Sequence, residues 1–407
     1  MSTDDHQTAR HGAPSDVPQS DIPQAVRQRP RTAVVGGGVN GLGIAWKLAA
    51  AGCEVDVYER GEIGRGASWA AAGMLAAGAE AEPGEEALTA LGLQSQTLWP
   101  AFAETLKAET GIDPEYRTEG LLIAAMTRDE AERLRFDADY QRGQGIALDW
   151  LSGAETRRRE PALRAGTVAG VYSPNDHQAN NRQLTRALAA AAERAGARLH
   201  PHTTVQAVET EGDRVTGLRV DGAQVAAEAV VVCAGAWTRE LAGLPANAVP
   251  PVRPIKGQML SLQMDPERPL LRHVLWAPTV YLVPRLDGTL LIGGTVEEKG
   301  FDDRMTAGGV YALLEAAWRA VPAIEDLPIQ ETWVGFRPGS RDDAPILGPT
   351  PVAGLHLATG HHRNGILLAP LTAQAVAAGI LSGEPVPAIR RFGVERFHRE
   401  TRQRGAA

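Results

Sequence analysis

The chain has 407 residues, 43% of them hydrophobic and 22% charged, with a formal net charge of −8. That profile fits a globular chain of two intimately joined domains, and the negative balance argues against nucleic acid or an anionic membrane surface as partner. No apolar run approaches the ~18 residues needed to span a bilayer, and the two cysteines, Cys53 and Cys233, stand far apart in apolar stretches, so the thiols read as core filling and the protein as cytoplasmic.

Residues 1–30 are polar, rich in Gln, Asp and Pro, and lack an apolar centre. They read as a disordered tail and not as a secretory signal. Order begins at Arg31. Thr32 to Val35 is short, apolar and β-branched, the mark of a buried parallel strand. Glycines follow, then helical spacing from Asn40 to Ala51, closed by Gly52 as the residue after the cap. Glu54 to Glu59 is a second strand that completes a β-α-β unit. Helices are expected over Glu85 to Thr110, over the charge-laced Thr127 to Gln144, and over the alanine-rich Gln183 to Gly196. Arg198 to Glu209, Gly217 to Val220 and Gln224 to Ala227 read as a strand meander. Ala229 to Val232 is a buried strand running into a glycine turn. From Pro250 to Thr295 the pattern alternates and is rich in turns, suggesting antiparallel sheet. Ala307 to Ala320 is helical, and the chain finishes as a strand at Gly354 to Ala358, a loop at His361 to Gly365 and a helix at Leu367 to Ser382, with Arg402 to Ala407 a loose end. The order of elements implies two interleaved domains.

Gly36-Gly37-Gly38-Val39-Asn40-Gly41 fits G-x-G-x-x-G, follows a strand, opens a helix and is answered by Glu59 at the end of the next strand. That context is what makes the motif a dinucleotide site. Gly36 allows the tight turn, Gly38 lets the backbone approach a pyrophosphate, and Gly41 permits close packing of helix on strand. The helix start offers N–H groups and its positive dipole end to phosphates. Glu59 accepts from ribose hydroxyls and repels a 2′-phosphate. The motif alone leaves FAD and NAD open. The next segment, Gly64 to Leu75, is built mostly of small residues, which lets backbone approach a flat ring system; close packing against another element is the competing reading.

These residues bring a family into view. GGGVNGLG, the ER at Glu59 and GASWAAAGML resemble the glycine oxidase branch of the D-amino-acid oxidase family, as do VVVCAGAW (Val230 to Trp237), PIKGQML (Pro254 to Leu260), YLVPR (Tyr281 to Arg285), GFRPGSRDDAPILGP (Gly335 to Pro349) and ATGHHRNGILLAP (Ala358 to Pro370). The resemblance implies an α/β fold in which a Rossmann-type FAD-binding domain is interleaved with a substrate domain built on a large antiparallel sheet. On that basis 31–85, 165–250 and 330–385 form the FAD-binding domain, 86–164 and 251–329 the substrate domain, and 386–407 a C-terminal extension. It also implies oxidation of glycine, sarcosine and small D-amino acids with oxygen, hydride passing from the substrate α-carbon to flavin N5. The products are glyoxylate, ammonia and hydrogen peroxide, with the imine feeding thiazole formation for thiamine. A homotetramer is the common assembly, and transfer of the imine to a thiazole-forming enzyme is a further implication.

Residue by residue, Arg337 matches the carboxylate-binding arginine, a planar fork that lysine does not reproduce. Tyr281 matches a tyrosine that joins this grip, and Arg363 a position near flavin and substrate. Both arginines are expected in glycine-containing loops. The FAD-binding set is Gly36, Gly38, Val39, Asn40, Gly41, Glu59, Arg60, Ala67, Ser68, Ala72, Gly73, Met74, Val205, Gly235, Trp237, Gly360, His361, His362, Arg363, Asn364, Gly365 and Ile366. Gly360 to Ile366 would run under the flavin, with Val205 touching the adenine half. No catalytic side chain is required, because an amine with a free lone pair helps expel the hydride and the cofactor carries the chemistry. His361 and His362 read as packing near flavin, with metal binding and a histidyl link as the alternatives. Neither cysteine falls in a loop expected at the ring, so FAD is expected to be held non-covalently. Thr279 and Val296 depart from the pattern: glycine oxidases carry a histidine and a methionine there. Rival readings are a D-amino-acid or sarcosine oxidase or dehydrogenase of the same fold, an NAD-dependent dehydrogenase and a non-catalytic flavin-binding protein.

Overall fold

The computed structural model describes residues 29–398. Most of the expected tail at 1–30 and all of the expected loose end at 402–407 lie outside the described residues. One sheet runs β18 (Ile346–Pro349), β19 (Leu355–Thr359), β12 (Ala229–Val232), β1 (Thr32–Val35), β2 (Val55–Tyr58) and β8 (Arg198–His200). All neighbours are parallel except β18, which is antiparallel to β19 at the edge. The apolar run of β1 is buried throughout because both its faces are covered. Val34 packs with the helices on one side, while Ala33 and Val35 join the cluster formed by a three-stranded meander on the other. Those helices are α1 (Val39–Ala50), α3 (Glu86–Thr110), α6 (Asn181–Arg194) and α8 (Ala369–Ser382); the meander is β9 (Val205–Glu211), β10 (Arg214–Val220) and β11 (Ala223–Ala226).

The second large sheet has eight strands in the order β17 (Ile329–Gly339), β13 (Arg253–Gln263), β16 (Thr289–Gly293), β15 (Val280–Pro284), β14 (Val274–Ala277), β4 (Leu121–Ala125), β6 (Ala169–Ser173) and β5 (Asp149–Ser152). It is antiparallel except where β4 runs parallel to β14. Alternation along its strands feeds two cores. Leu260, Leu262, Leu282 and Ile292 pack under α7 (Ala307–Ala320), while Met259, Val283 and Leu291 face Ala70, Ala72 and Ala76 of the other half. A short ribbon of β3 (Met74–Leu75) and β7 (His177–Gln178) stitches the halves together. The short α2 (Ala67–Ala70) packs on β17, and around the periphery lie α4 (Arg128–Gly143) and α5 (Gly153–Arg159). Thr127 and Ser152 begin α4 and α5 with reciprocal capping boxes, to Glu130 and Glu155.

Sheet membership cuts across several expected boundaries. Strand β6, within the stretch assigned to the FAD-binding domain, belongs to the eight-stranded sheet, and so does β17 beyond residue 330. Conversely α3, expected in the substrate domain, puts Leu88, Leu91, Trp99, Phe102 and Leu106 into the core shared with α1 and α8. Helical periodicity reveals that a face is buried but not against what. The strand expected over Arg198 to Glu209 is two: β8 joins the parallel sheet beside β2, and β9 opens the meander. The described part of the C-terminal extension is packed, with Ile389 and Phe392 in the helix-side core and Val394 and Phe397 in the meander-side core.

Candidate active site

A cavity of about 1490 Å³ runs between the two large sheets. One end is built mainly from the β1–α1–β2 stretch. Gly36 sits at φ +112°, a left-handed conformation in which a side chain is strained. A Cβ there would stand 2.4 Å from the Cys233 carbonyl oxygen, and one on Gly41 would stand 2.0 Å from the Gly36 oxygen. The turn therefore closes only with glycine. Gly38 caps α1 without a side-chain partner of its own, and the Ser68 hydroxyl accepts from the Val39 N–H at 3.0 Å. The Glu59 carboxylate is held at the end of β2 by the N–H groups of Gly37 (2.8 Å) and Gly61 (3.0 Å).

This end fits a dinucleotide. The Asn40 side-chain oxygen is buried, lacks a hydrogen-bond partner and belongs to the cavity wall. A buried polar atom of this kind calls for a donor. Gly235, at φ +54°, has nothing within 4 Å of where a Cβ would be, so open cavity lies over it. Val205, Arg60 and Trp237 line the same end, with the Arg60 guanidinium 4.0 Å above the Trp237 ring and Phe301 stacked on that ring at 5.1 Å. Cys233 lines the cavity too, beside the glycine turn; burial pushes its thiol pKa well up, which keeps it protonated.

The small-residue segment satisfies both of its readings. Ala67, Ser68, Ala72, Gly73 and Met74 line the cavity. Yet Ala70 packs so closely on β17 that a Cβ on Gly335 would lie 2.4 Å from it, and Trp333 donates to the Ala70 carbonyl at 3.0 Å. Gly73 is equally constrained, by the Ala179 carbonyl.

The far end is assembled from distant parts of the chain. Arg337 lies on strand β17 and not in a loop, which corrects that expectation; β17 has a mixed pattern of burial that sequence alternation did not reveal. Its side chain crosses a floor of glycines. A Cβ on Gly257 of the neighbouring strand would meet Nη1 at 2.4 Å, and one on Gly294 would meet Nη2 at 2.9 Å and the Tyr281 hydroxyl at 3.0 Å. Nη1 donates to the Thr295 carbonyl at 2.9 Å, which fixes the fork. Tyr281 stands on β15, its hydroxyl 3.3 Å from the Met259 sulfur; burial raises its pKa, so it stays a neutral donor, with Arg337 pulling the other way. Thr279 and Val296, the two departures from the family pattern, both line this end.

The loop after β19 is tied to β17 by a bridge between Gly339 and His361 and by the His362 N–H to the Pro338 carbonyl at 3.0 Å. This brings Arg363 into the wall that holds Arg337. Its guanidinium is nevertheless engaged with carboxylates: Glu80 at 2.7 Å, Glu85 at 3.0 Å and Glu82 at 3.8 Å. It is thus a buttressed part of the wall, whereas Arg337 is held at Nη1 by the Thr295 carbonyl. His361, His362, Asn364, Gly365 and Ile366 line the cavity, whereas Gly360, at φ +70°, packs against Ile346 and Ser340 outside the lining. His361 is buried against the Thr372 hydroxyl at 3.1 Å and its pKa is lowered to about 3 by burial. His362 turns instead toward Asp343 at 3.5 Å, with its pKa lowered to about 4 by burial. Both rings are neutral near pH 7 and diverge.

Sequence reasoning missed Glu80, Met259 and the pair Gly293-Gly294, all of which line the cavity. The GGT run after an alternating strand was a possible signal for the last; nothing local marked Glu80. It also missed Arg285, which lies behind the lining and is buried with its guanidinium donating to the carbonyls of Ala72 and Ala179 and to the side chains of Gln178 and Asn181.

The family model described as FAD dependent oxidoreductase matches residues 31–378. A glycine oxidase from Geobacillus kaustophilus is 41% identical over 348 residues, covering 85% of this chain and 91% of that one. The crystal structure of glycine oxidase from the same organism superposes with a TM-score of 0.85 at 38% identity, over 90% of this chain and 99% of that one. The Bifunctional protein ThiO/ThiG of Trichormus variabilis is 39% identical over 370 residues, 90% of this chain but 55% of its own length. The chain therefore spans about half of that curated relative.

Proposed function

The chain belongs to the family of FAD-dependent oxidoreductases that includes the glycine oxidases, and from that premise we propose that it oxidises glycine, and with it sarcosine and small D-amino acids, to the imine and then to glyoxylate and ammonia, with oxygen becoming hydrogen peroxide. The observation that carries this reading is the Arg337 fork beside the Tyr281 hydroxyl over glycines 257 and 294, in the same cavity as the glycine turn at 36–41. A guanidinium and a neutral phenol suit one carboxylate, and the close walls suit a substrate with little or no side chain.

FAD, held non-covalently, would supply a two-electron acceptor for the substrate's hydride, with oxygen as the final acceptor. Gly38, Asn40, Glu59, Arg60 and Val205 would hold its dinucleotide half, and Met74 with His361 to Ile366 its ring half. The protein's own work is orientation. Arg337 and Tyr281 would pin the carboxylate, and the loop at 361–366 would form part of the wall around the bound cofactor. Holding the α-carbon in one pose removes much of the entropic barrier of a bimolecular step.

The likeness to the bifunctional relative supports a role in thiazole formation for thiamine, with the imine passed to a thiazole-forming enzyme. A cytoplasmic homotetramer is the assembly this reading carries; among the described residues no helix is long and apolar enough to cross a membrane. The test is direct. Glycine added anaerobically to the yellow holoprotein should bleach the flavin band, and air should restore it with release of peroxide. A flavin left oxidised by glycine, sarcosine and D-alanine alike would overturn the assignment.

A further inference from the structure

Glycine arrives in neutral water as a zwitterion, and its ammonium has no lone pair with which to expel a hydride. Arg337 and Tyr281 answer only for the carboxylate. Several acidic side chains line the same cavity, and Glu80 is one that neither anchor uses. Glu80 follows the small-residue segment, lines the cavity, and has 11% of its side-chain surface exposed. Its Oε2 is a buried atom without an aligned hydrogen-bond partner, although the Arg363 Nε stands 2.7 Å away. That same nitrogen is also unaligned, so the contact is a close charge pairing.

The surrounding charges favour a cation. Arg363 is shared among Glu80, Glu82 and Glu85, three carboxylates to one guanidinium. Asp176, from the turn before β7, lies within electrostatic range of Glu80 and is itself bound by the N–H groups of Gly78 and Ala79, by the Ser173 hydroxyl and by the Gln96 amide. Tyr281 on β15 lies within electrostatic range of both Glu80 and Arg337, and Asp343 and His362 lie within electrostatic range of Arg363. The wall around Glu80 thus carries excess negative charge, while the Arg337 end of the cavity carries positive charge. That polarity matches a zwitterion laid between them.

We propose that Glu80 receives the substrate's ammonium group and takes one proton from it, so that the amine enters hydride transfer with its lone pair free. The step balances simply: an N–H bond of the ammonium breaks, an O–H bond forms on the Glu80 carboxylate, and nothing is oxidised or reduced. Burial raises the Glu80 pKa to about 7, against the pull of Arg363, which suits a carboxylate to accept a proton near neutral pH and return it to solvent afterwards. The assignment rests on the glycine-oxidising reading above and adds to it a group for the nitrogen.

The experiment uses the holoenzyme and its Glu80→Gln and Glu80→Asp forms. Flavin reduction by sub-saturating glycine is followed anaerobically across pH 6–10, and the affinity for glycolate, which has the same carboxylate and no ammonium, is read from the shift it causes in the flavin spectrum. In the native enzyme the reduction rate should rise through about pH 7. Glu80→Gln should slow it about a hundredfold at neutral pH, move the rise up toward the ionisation of glycine's own amine, and converge on the native rate at the alkaline end. Glu80→Asp should recover part of the loss, and glycolate should bind all three forms within about threefold of one another. Identical pH profiles for native and Glu80→Gln enzyme would overturn the proposal, and so would a glycolate affinity that falls in step with the rate, since that marks a collapsed wall. A native enzyme that binds glycolate but is reduced by no small amine would overturn the glycine-oxidising reading itself.

Discussion

The two ends of the cavity are built in opposite ways. The dinucleotide end comes from one β-α-β stretch, in which Gly36, Gly38, Gly41 and Glu59 reach their places through a strand, a turn, a helix and a strand in immediate succession. The far end draws Glu80, Tyr281, Arg337 and Arg363 from four distant segments, held by the pairing of β13 with β17 and by the pinning of the loop at 361–366 onto β17. A local site is encoded by spacing and tolerates little change in its glycines. An assembled site is encoded by register, and its side chains matter one at a time.

Removing the clamp should have the largest effect. Arg337→Ala strips one partner from a buried charge pair, typically ~2–5 kcal/mol, so KM for glycine should rise roughly 30- to 3000-fold while the flavin stays bound. A near-native KM in steady-state assays would break the claim that this end reads the carboxylate. Asp176→Ala should come next, and should act on stability. The residue is buried and receives two backbone N–H groups, a hydroxyl and an amide, and each donor left unpaired costs about 1–3 kcal/mol. Denaturant unfolding should show the loss, with glycine turnover falling as the segment bearing Glu80 loosens.

At the local end, Gly41→Val forces side-chain atoms against the Gly36 carbonyl. Overpacking of this kind costs about 1–3 kcal/mol, and the protein should emerge with flavin depleted, its KM for glycine unchanged in the fraction that retains cofactor. Cofactor retention with full stability would show that the turn is not sterically closed. Tyr281→Phe should be gentler, about 0.5–1.5 kcal/mol for one hydrogen bond, seen as a two- to tenfold rise in KM.

The smallest effect separates the ends by pH. The Glu80 pKa is raised by burial to about 7 in the folded chain, above its ordinary 4.5. Between those values the folded state holds a proton that the unfolded chain releases, so the group's contribution falls as pH rises through that window. The flavin-free protein should therefore lose Tm from pH 5 to 7.5 more steeply than Glu80→Gln does, by about 2 °C. Parallel curves from differential scanning calorimetry would remove Glu80 from this role.

Sequence spacing alone delivered the glycine turn, its answering Glu59, and helices α1, α3, α4, α6 and α7 to within two residues. These depend on interactions within a few residues, on backbone conformation, caps and the periodicity of one buried face, and such signals survive in the linear order of residues. The resemblance to a known family singled out Arg337 and Tyr281, although the pattern of elements placed Arg337 in a loop and the fold puts it on β17. What the linear order did not contain was contact between remote parts: that β6 and β17 belong to the eight-stranded sheet, that α3 serves the parallel-sheet core, that Arg363 spends its charge on three glutamates, and that Glu80 lies in the wall at all. Register between distant strands and the sharing of charge across a cavity are set by packing, because only the folded chain decides which buried groups must neutralise or hydrogen-bond one another.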